Sequence, residues 1–324
     1  MAVRNCWKKS GMILLPDIKS KIEKITGSKI LAQAPVSGGC ISDSCIIETS
    51  SGQKFFLKMN SSLPDDMFTK EANGLNELKK AGTIRIPEVI SFGESYILLE
   101  QVNYGRKKNN FSEEFGSRLA KMHLYLSNEF GFYEDNYIGS TIQINIPGEN
   151  EKINWTEFYF NKRILFQFQL AEKNGYSTPE LQSGIKNLES KIENILSGSE
   201  EKPSLIHGDL WGGNYLVDES GLPCLIDPAV YYGHREAELA MTKLFGGFDK
   251  TFYEAYNETY PLKDGYEYRE NIYKLYHDFI RDKYLQTLSR IKSFKFIWKG
   301  ILFAGYFFAE LLPVIKKRDI IPPI

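Results

Sequence analysis

The run Leu205-Ile206-His207-Gly208-Asp209-Leu210-Trp211-Gly212-Gly213-Asn214-Tyr215-Leu216-Val217 constrains this chain more than any other segment. Apolar residues at both ends read as two strands. The polar residues between them read as an exposed loop held by rigid neighbours, a place where function concentrates. Thirteen residues after Asn214, the apolar Cys224-Leu225-Ile226 ends in Asp227-Pro228. Two acids and an amide therefore project from the ends of adjacent short strands.

That set suits phosphoryl transfer. One carboxylate can orient an attacking hydroxyl and accept its proton. The amide oxygen and the second carboxylate are hard ligands for Mg2+, which takes few protein ligands and otherwise holds water and phosphate. The interval from Asp209 to Asn214 matches a kinase catalytic loop, with His207-Gly208-Asp209 standing for His-Arg-Asp and Asp227-Pro228 for the start of Asp-Phe-Gly. Glycine at 208 removes the basic residue that would receive an activation-loop phosphate, which points to small-molecule kinases of that fold. The alternative is a β-hairpin whose Asp and Asn cap turns. Asn214 and Asp227 both standing in register weigh against it.

Upstream, Ile30–Val36, Ser44–Thr49 and Gln53–Met59 read as a three-stranded meander, and Asp65–Lys80 as a helix closed by Gly82. Lys58 lies on the third strand, where a phosphate-contacting lysine is expected. On the helix, Phe68, Ala72, Leu75 and Leu78 form one apolar stripe, and Glu71 falls within it while Glu77 points to the opposite side. A carboxylate on an inward face needs a partner, and Lys58 is the natural one. The glycine corner Ser37-Gly38-Gly39-Cys40 is adequately explained as a hairpin turn. In a two-lobed fold, the backbone N–H groups of Gly38, Gly39 and Cys40 would lie over nucleotide phosphates. The Cys40 thiol is expected to be accessible there, and Cys45 packed in its strand. Glu88–Phe92 and Tyr96–Val102 form a further hairpin, with Glu100, Gln101 and Val102 as the hinge whose backbone meets an adenine edge.

After a polar connector at Arg106–Asn110, helices dominate: Ser112–Ser127, Trp155–Lys173, Pro179–Leu196, most of Glu236–Tyr260 and Tyr266–Lys292. The expected fold is thus α+β, protein-kinase-like and two-lobed, with residues 1–105 as a small β-rich lobe and 106–324 as a larger helical one. Its 324 residues carry 40 Lys+Arg against 41 Asp+Glu, so a net charge of −1 gives no pull towards nucleic acid or an anionic membrane. Four scattered cysteines suggest neither a zinc site nor a disulfide framework, and the expected location is a reducing cytoplasm. Whether the chain is a monomer or a homodimer is left open.

These residues resemble the fructosamine/ketosamine-3-kinase family, within the wider aminoglycoside and choline kinase-like group. The likeness is strongest over His207–Asn214 and the run Ile226-Asp227-Pro228-Ala229-Val230-Tyr231-Tyr232-Gly233-His234-Arg235-Glu236-Ala237-Glu238. It extends to Tyr137–Gln143 and Trp155–Arg163. The resemblance implies use of ATP and Mg2+ to phosphorylate the sugar 3-hydroxyl of ketosamines, the adducts of reducing sugars with protein lysines. The phosphorylated product is unstable and releases the amine, so the implied role is protein deglycation. Glycated proteins or small ketosamines would be the partners, with the ribulosamine and psicosamine branch favoured over fructosamine.

By the same resemblance, Asp209 is the catalytic base, Asn214 and Asp227 the metal ligands, and Lys58 with Glu71 the phosphate-positioning pair. Trp211 offers a face for a sugar, and His234 and Glu236 are candidates for sugar hydroxyls. Against the last two, Glu236 and Glu238 equally suit the first turn of the next helix. The segment beyond Tyr276-His277 departs from the family pattern, and residues after Phe294 look additional. Two rival readings stand beside the ketosamine kinase: an aminoglycoside- or small-alcohol-type phosphotransferase, and a silent nucleotide-binding scaffold.

Overall fold

The computed structural model describes residues 14–36, 42–244 and 246–285, with side chains to 280. Pro16 starts α1 (Pro16–Thr26), and Gly27, at φ 65°, ends it. Five strands follow: β1 (Ile30–Pro35), β2 (Asp43–Thr49), β3 (Lys54–Met59), β4 (Val89–Gly93) and β5 (Tyr96–Glu100). They form one antiparallel sheet in the order β1-β2-β3-β5-β4. Strand alternation sorts its two faces. Phe55, Leu57, Cys45, Ile47 and Leu98 pack with Ile18 and Ile22 of α1. On the other face, Phe56, Ile97 and Leu99 join the larger core, together with Phe68 and Leu75 of α2 (Met67–Lys79). The alternation puts Lys58 on this second face, towards α2.

The rest of the described residues are mainly helical: α3 (Phe111–His123), α4 (Trp155–Tyr159), a π-helical turn (Phe160–Leu165), α5 (Phe166–Lys173), α6 (Pro179–Glu189), α7 (Ile192–Leu196), α8 (Arg235–Thr242), α9 (Lys250–Thr259) and α10 (Tyr266–Leu285). Two expected helices are broken. Pro179–Leu196 divides at Ser190-Lys191. Glu236–Tyr260 divides where Gly246 and Gly247 take φ of 93° and 73°, after which the Asp249 carboxylate caps α9 by accepting from the Phe252 N–H.

Three short antiparallel ribbons complete the fold. The first is β6 (Asn136–Ile138) with β7 (Thr141–Gln143). In the second, β9 (Tyr215–Val217) pairs with β10 (Pro223–Leu225), and in the third β8 (Ser204–Ile206) pairs with β11 (Tyr231–Gly233). The strands flanking residues 207–214 therefore belong to different ribbons. The polar loop crosses from one ribbon to the other instead of turning back as a hairpin, so the hairpin alternative fails.

Candidate active site

Lys58 stands opposite Ser44 on β2 and Ile97 on β5, in the middle of the sheet. Its Nζ donates to Glu71 Oε1 at 2.7 Å and also reaches the Asp227 carboxylate. Burial alone would lower the ammonium pKa, but Asp227 and Glu71 outweigh it and hold it above its usual value. A sheet residue, a helix residue and a residue 169 positions further on thus meet at one point. Asp227 is the one non-glycine residue with positive φ (56°) among the described residues, a conformation retained only where surroundings enforce it.

The crossing loop is fixed from below. His207 is buried; its Nδ1 accepts from the Asp209 N–H at 3.3 Å, so Nε2 carries the proton donated to the Ile226 carbonyl at 2.9 Å. Burial lowers its pKa and keeps the ring neutral. One imidazole therefore ties the Asp209 loop to the strand that ends in Asp227. Asn214 is buried as well, and its Nδ2 donates to the Asp209 carbonyl (2.7 Å) and to Asp209 Oδ2 (2.9 Å). That leaves the Asn214 carbonyl as its acceptor end. Burial pushes the Asp209 carboxyl well above its ordinary range, and Asp227 and Glu238 add to this against the bond from Asn214. Trp211, two residues further along the loop, is 36% exposed, its indole lying over Gly213.

Glu238 is a residue that sequence reasoning assigned only to a helix start. It is buried in α8, and its carboxylate accepts the backbone N–H groups of both His207 and Gly208, the latter at 3.1 Å. Burial pushes this carboxyl up, but His123 and the His207 N–H hold it below the usual range. The sequence carries no signal for it: only the structure shows that every residue of α8 is buried, so that each charged one needs an internal partner.

Two expected substrate contacts are corrected by the same logic. His234 is buried; its Nε2 bonds the Ser199 carbonyl at 2.7 Å and its Nδ1 accepts from the Glu236 N–H, capping α8. Glu236 is fully buried and takes a two-pronged bond from Arg269, at 2.6 and 2.8 Å. Neither side chain is left to meet a sugar. Glu236→Gln is expected to destabilise the fold by about 3 kcal/mol, the cost of stranding one partner of a buried pair, with no change in the KM of either substrate; thermal unfolding and steady-state kinetics check it.

At the hinge, the Glu100 carboxylate is taken by Arg85 at 2.5 Å and by the Glu88 N–H, and Gln101 Nε2 donates to the Val102 carbonyl at 2.8 Å. Val102 is buried. The Glu100 N–H is itself spent on the Glu88 carbonyl at 2.8 Å. Gly38, Gly39 and Cys40, and the chain beyond Leu285, lie outside the described residues. His123 and His277 are both buried, as is Cys45, expected to be packed in its strand. Glu77, expected opposite the working face, is also buried and accepts from Tyr232 Oη at 2.8 Å.

The donor set suits a magnesium nucleotide. Among the described residues no three or more His, Cys, Asp or Glu side chains form a metal cage. One exposed carboxylate, one amide oxygen and one ammonium are instead the complement of a hydrated cation already carrying phosphate oxygens. A small sheet with one inserted helix, a helical remainder and this constellation define a kinase-type phosphotransferase.

The model of the fructosamine kinase family matches residues 14–287, and the chain belongs to that family. It is 40% identical over 252 residues to the chloroplastic protein-ribulosamine 3-kinase of Arabidopsis thaliana, covering 75% of this chain and 74% of that one. It is 37% identical over 268 residues to a protein of Synechocystis named as a probable ketoamine kinase, covering 80% and 88%. The crystal structure of the provisionally assigned fructosamine-3-kinase of Thermobifida fusca superposes with a TM-score of 0.72 at 30% identity, over 83% of this chain and 92% of that one. An aminoglycoside phosphotransferase and a choline kinase, each 16% identical with TM-scores of 0.56 and 0.57, share the fold.

Proposed function

We propose that this kinase phosphorylates the sugar 3-hydroxyl of ketosamines on glycated lysines, with ribulosamine and psicosamine adducts preferred over fructosamine, and so promotes deglycation. The observation that carries the reading is Lys58 held between Glu71 and Asp227 beside the Asp209–Asn214 pair, in a chain of this family. Bound MgATP would supply the phosphoryl group and the countercharge for its transfer. Asn214 and Asp227 would hold the metal, and Lys58, steadied by Glu71, would hold the phosphates. Because Asn214 engages Asp209 Oδ2, Oδ1 is the oxygen that meets the sugar hydroxyl, orients it and takes its proton. Residues 1–105 act as the nucleotide lobe and 106–324 as the acceptor lobe. A cytoplasmic location belongs to the same reading; the Arabidopsis relative is named as chloroplastic.

The test is ATP consumption on ribulosamine and fructosamine derivatives of lysine, run against an aminoglycoside and choline. Turnover of the ketosamines alone supports the reading, and turnover of only the other acceptors overturns it. Trp211→Ala separates sugar binding from nucleotide binding. The ketosamine KM is expected to rise about tenfold, the worth of one lost stacking face, while the ATP KM stays within twofold, roughly the spread of a neutral exposed change. Equal losses on both substrates would remove Trp211 from the sugar site.

A further inference from the structure

We propose that the segment from Glu134 to Gln143 is a two-sided brace that sets the spacing between the Lys58–Glu71 pair and the Asp227 turn. One side grips α2. Glu134 accepts from Lys70 Nζ at 2.8 Å and from Asn73 Nδ2 at 2.9 Å, two residues that flank Glu71 on the helix. Tyr137 Oη donates to Asp66 Oδ1, at the start of the same helix, at 2.7 Å. The other side grips the chain that follows Asp227. Asn136 Nδ2 donates to the Val230 carbonyl at 2.7 Å, and Gln143 Nε2 to the Ala229 carbonyl at 2.9 Å.

The second grip is the stiffer one. Asn136 and Gln143 face each other across the β6–β7 ribbon, both buried, and bond each other at 2.9 Å. Tyr276 Oη donates to Gln143 Oε1, which fixes the direction of that amide. A buried network satisfied in this way permits one geometry and penalises others. The contacts then close on themselves. Glu71 rides on α2, α2 is held by Glu134 and Tyr137, the ribbon holds Ala229 and Val230, Asp227 lies two residues before Ala229, and Lys58 touches both Asp227 and Glu71. Where the brace sits decides whether one ammonium can serve two carboxylates at once. Asn136, Gln143, Glu134 and Tyr137 are positioning residues, acting through Lys58 and Glu71 without needing to meet a substrate.

This deepens the proposed function, because it rests on Lys58 and Glu71 serving nucleotide phosphates. The test uses the full chain carrying Glu134→Gln and Tyr137→Phe, both at partly exposed sites that the core does not depend on. Hydrogen exchange of α2 amides is expected to rise about fivefold while α3 amides are unchanged, as a local opening would produce. The kcat at saturating MgATP is expected to fall about tenfold, the scale set by small misplacements of reacting groups. In a Glu71→Gln background, where the pair served by the brace is gone, the same two changes are expected to cost less than about twofold. Unchanged α2 exchange, or the same loss in both backgrounds, overturns the brace. If wild-type protein turns over no ketosamine, the substrate reading falls while the exchange measurement still judges the brace.

Discussion

Asp209→Asn is expected to lower kcat about a thousandfold, the middle of the range for removing a positioned general base, while the unfolding temperature does not fall and the ATP KM is unchanged. The amide keeps the shape of the carboxylate and an oxygen that can still accept from Asn214 Nδ2. What it loses is the capacity to take a proton. Loss of stability is not expected, and the sign follows from the environment. Burial raises the Asp209 carboxyl pKa, so the ionised form is disfavoured in the folded protein, and a neutral group there relieves that penalty. Product formation measured alongside thermal unfolding separates chemistry from folding. A residual kcat within about tenfold of wild type, the effect of a mere orienting group, would take the base role away from Asp209.

Much of the candidate site's geometry was legible because its residues obey local rules. Strand alternation and helix phase independently turn Lys58 and Glu71 towards each other, so their meeting needs no knowledge of the rest of the chain. Asp209, Asn214 and Asp227 stand at strand ends bounded by apolar runs, a pattern visible in one dimension. Glu77 shows where such reasoning stops. A helical wheel places it away from Glu71, which is correct, but α2 is covered over more than the Glu71 stripe: Gly74 packs on Pro228 and Val230, and Glu77 meets Tyr232. The flank of that helix carrying Gly74 and Glu77 is interior too, and only the side with Asn76 and Lys79 is left to solvent. His234 and Glu236 failed for a related reason. Proximity to Asp227 in sequence suggested the pocket, whereas full burial of α8 turned both into structural groups. The pairing of β8 with β11 was also hidden, since three-residue strands carry too little pattern to name their partners.

Gly208 yields the second large effect. Its φ of 81° is strained for any L side chain, and a β-carbon built there would lie 2.0 Å from the Ala229 carbonyl oxygen. That obstacle is backbone and is itself held in place, by the bond from Gln143 and by the Ala229 N–H donating to the His207 carbonyl at 2.9 Å. Gly208→Ala must therefore push apart the two segments that carry Asp209 and Asp227. Left-handed strain and overpacking each cost about 1–3 kcal/mol, so a loss of about 3 kcal/mol or more is expected. Activity is expected to fall about a hundredfold in the fraction that stays folded, as a 1 Å displacement of reacting groups would cause.

Gly212→Ala, four residues on in the same loop, meets nothing within 4 Å and has no positive φ, so it should change neither quantity. The contrast gives the glycine of His-Gly-Asp a steric cause. Arginine, which stands at this position in protein-kinase loops, would meet the Ala229 carbonyl just as alanine does. The absence of a phosphate-receiving base then follows from packing around Ala229. If Gly208→Ala matched Gly212→Ala in unfolding temperature and kcat, that packing argument would be wrong.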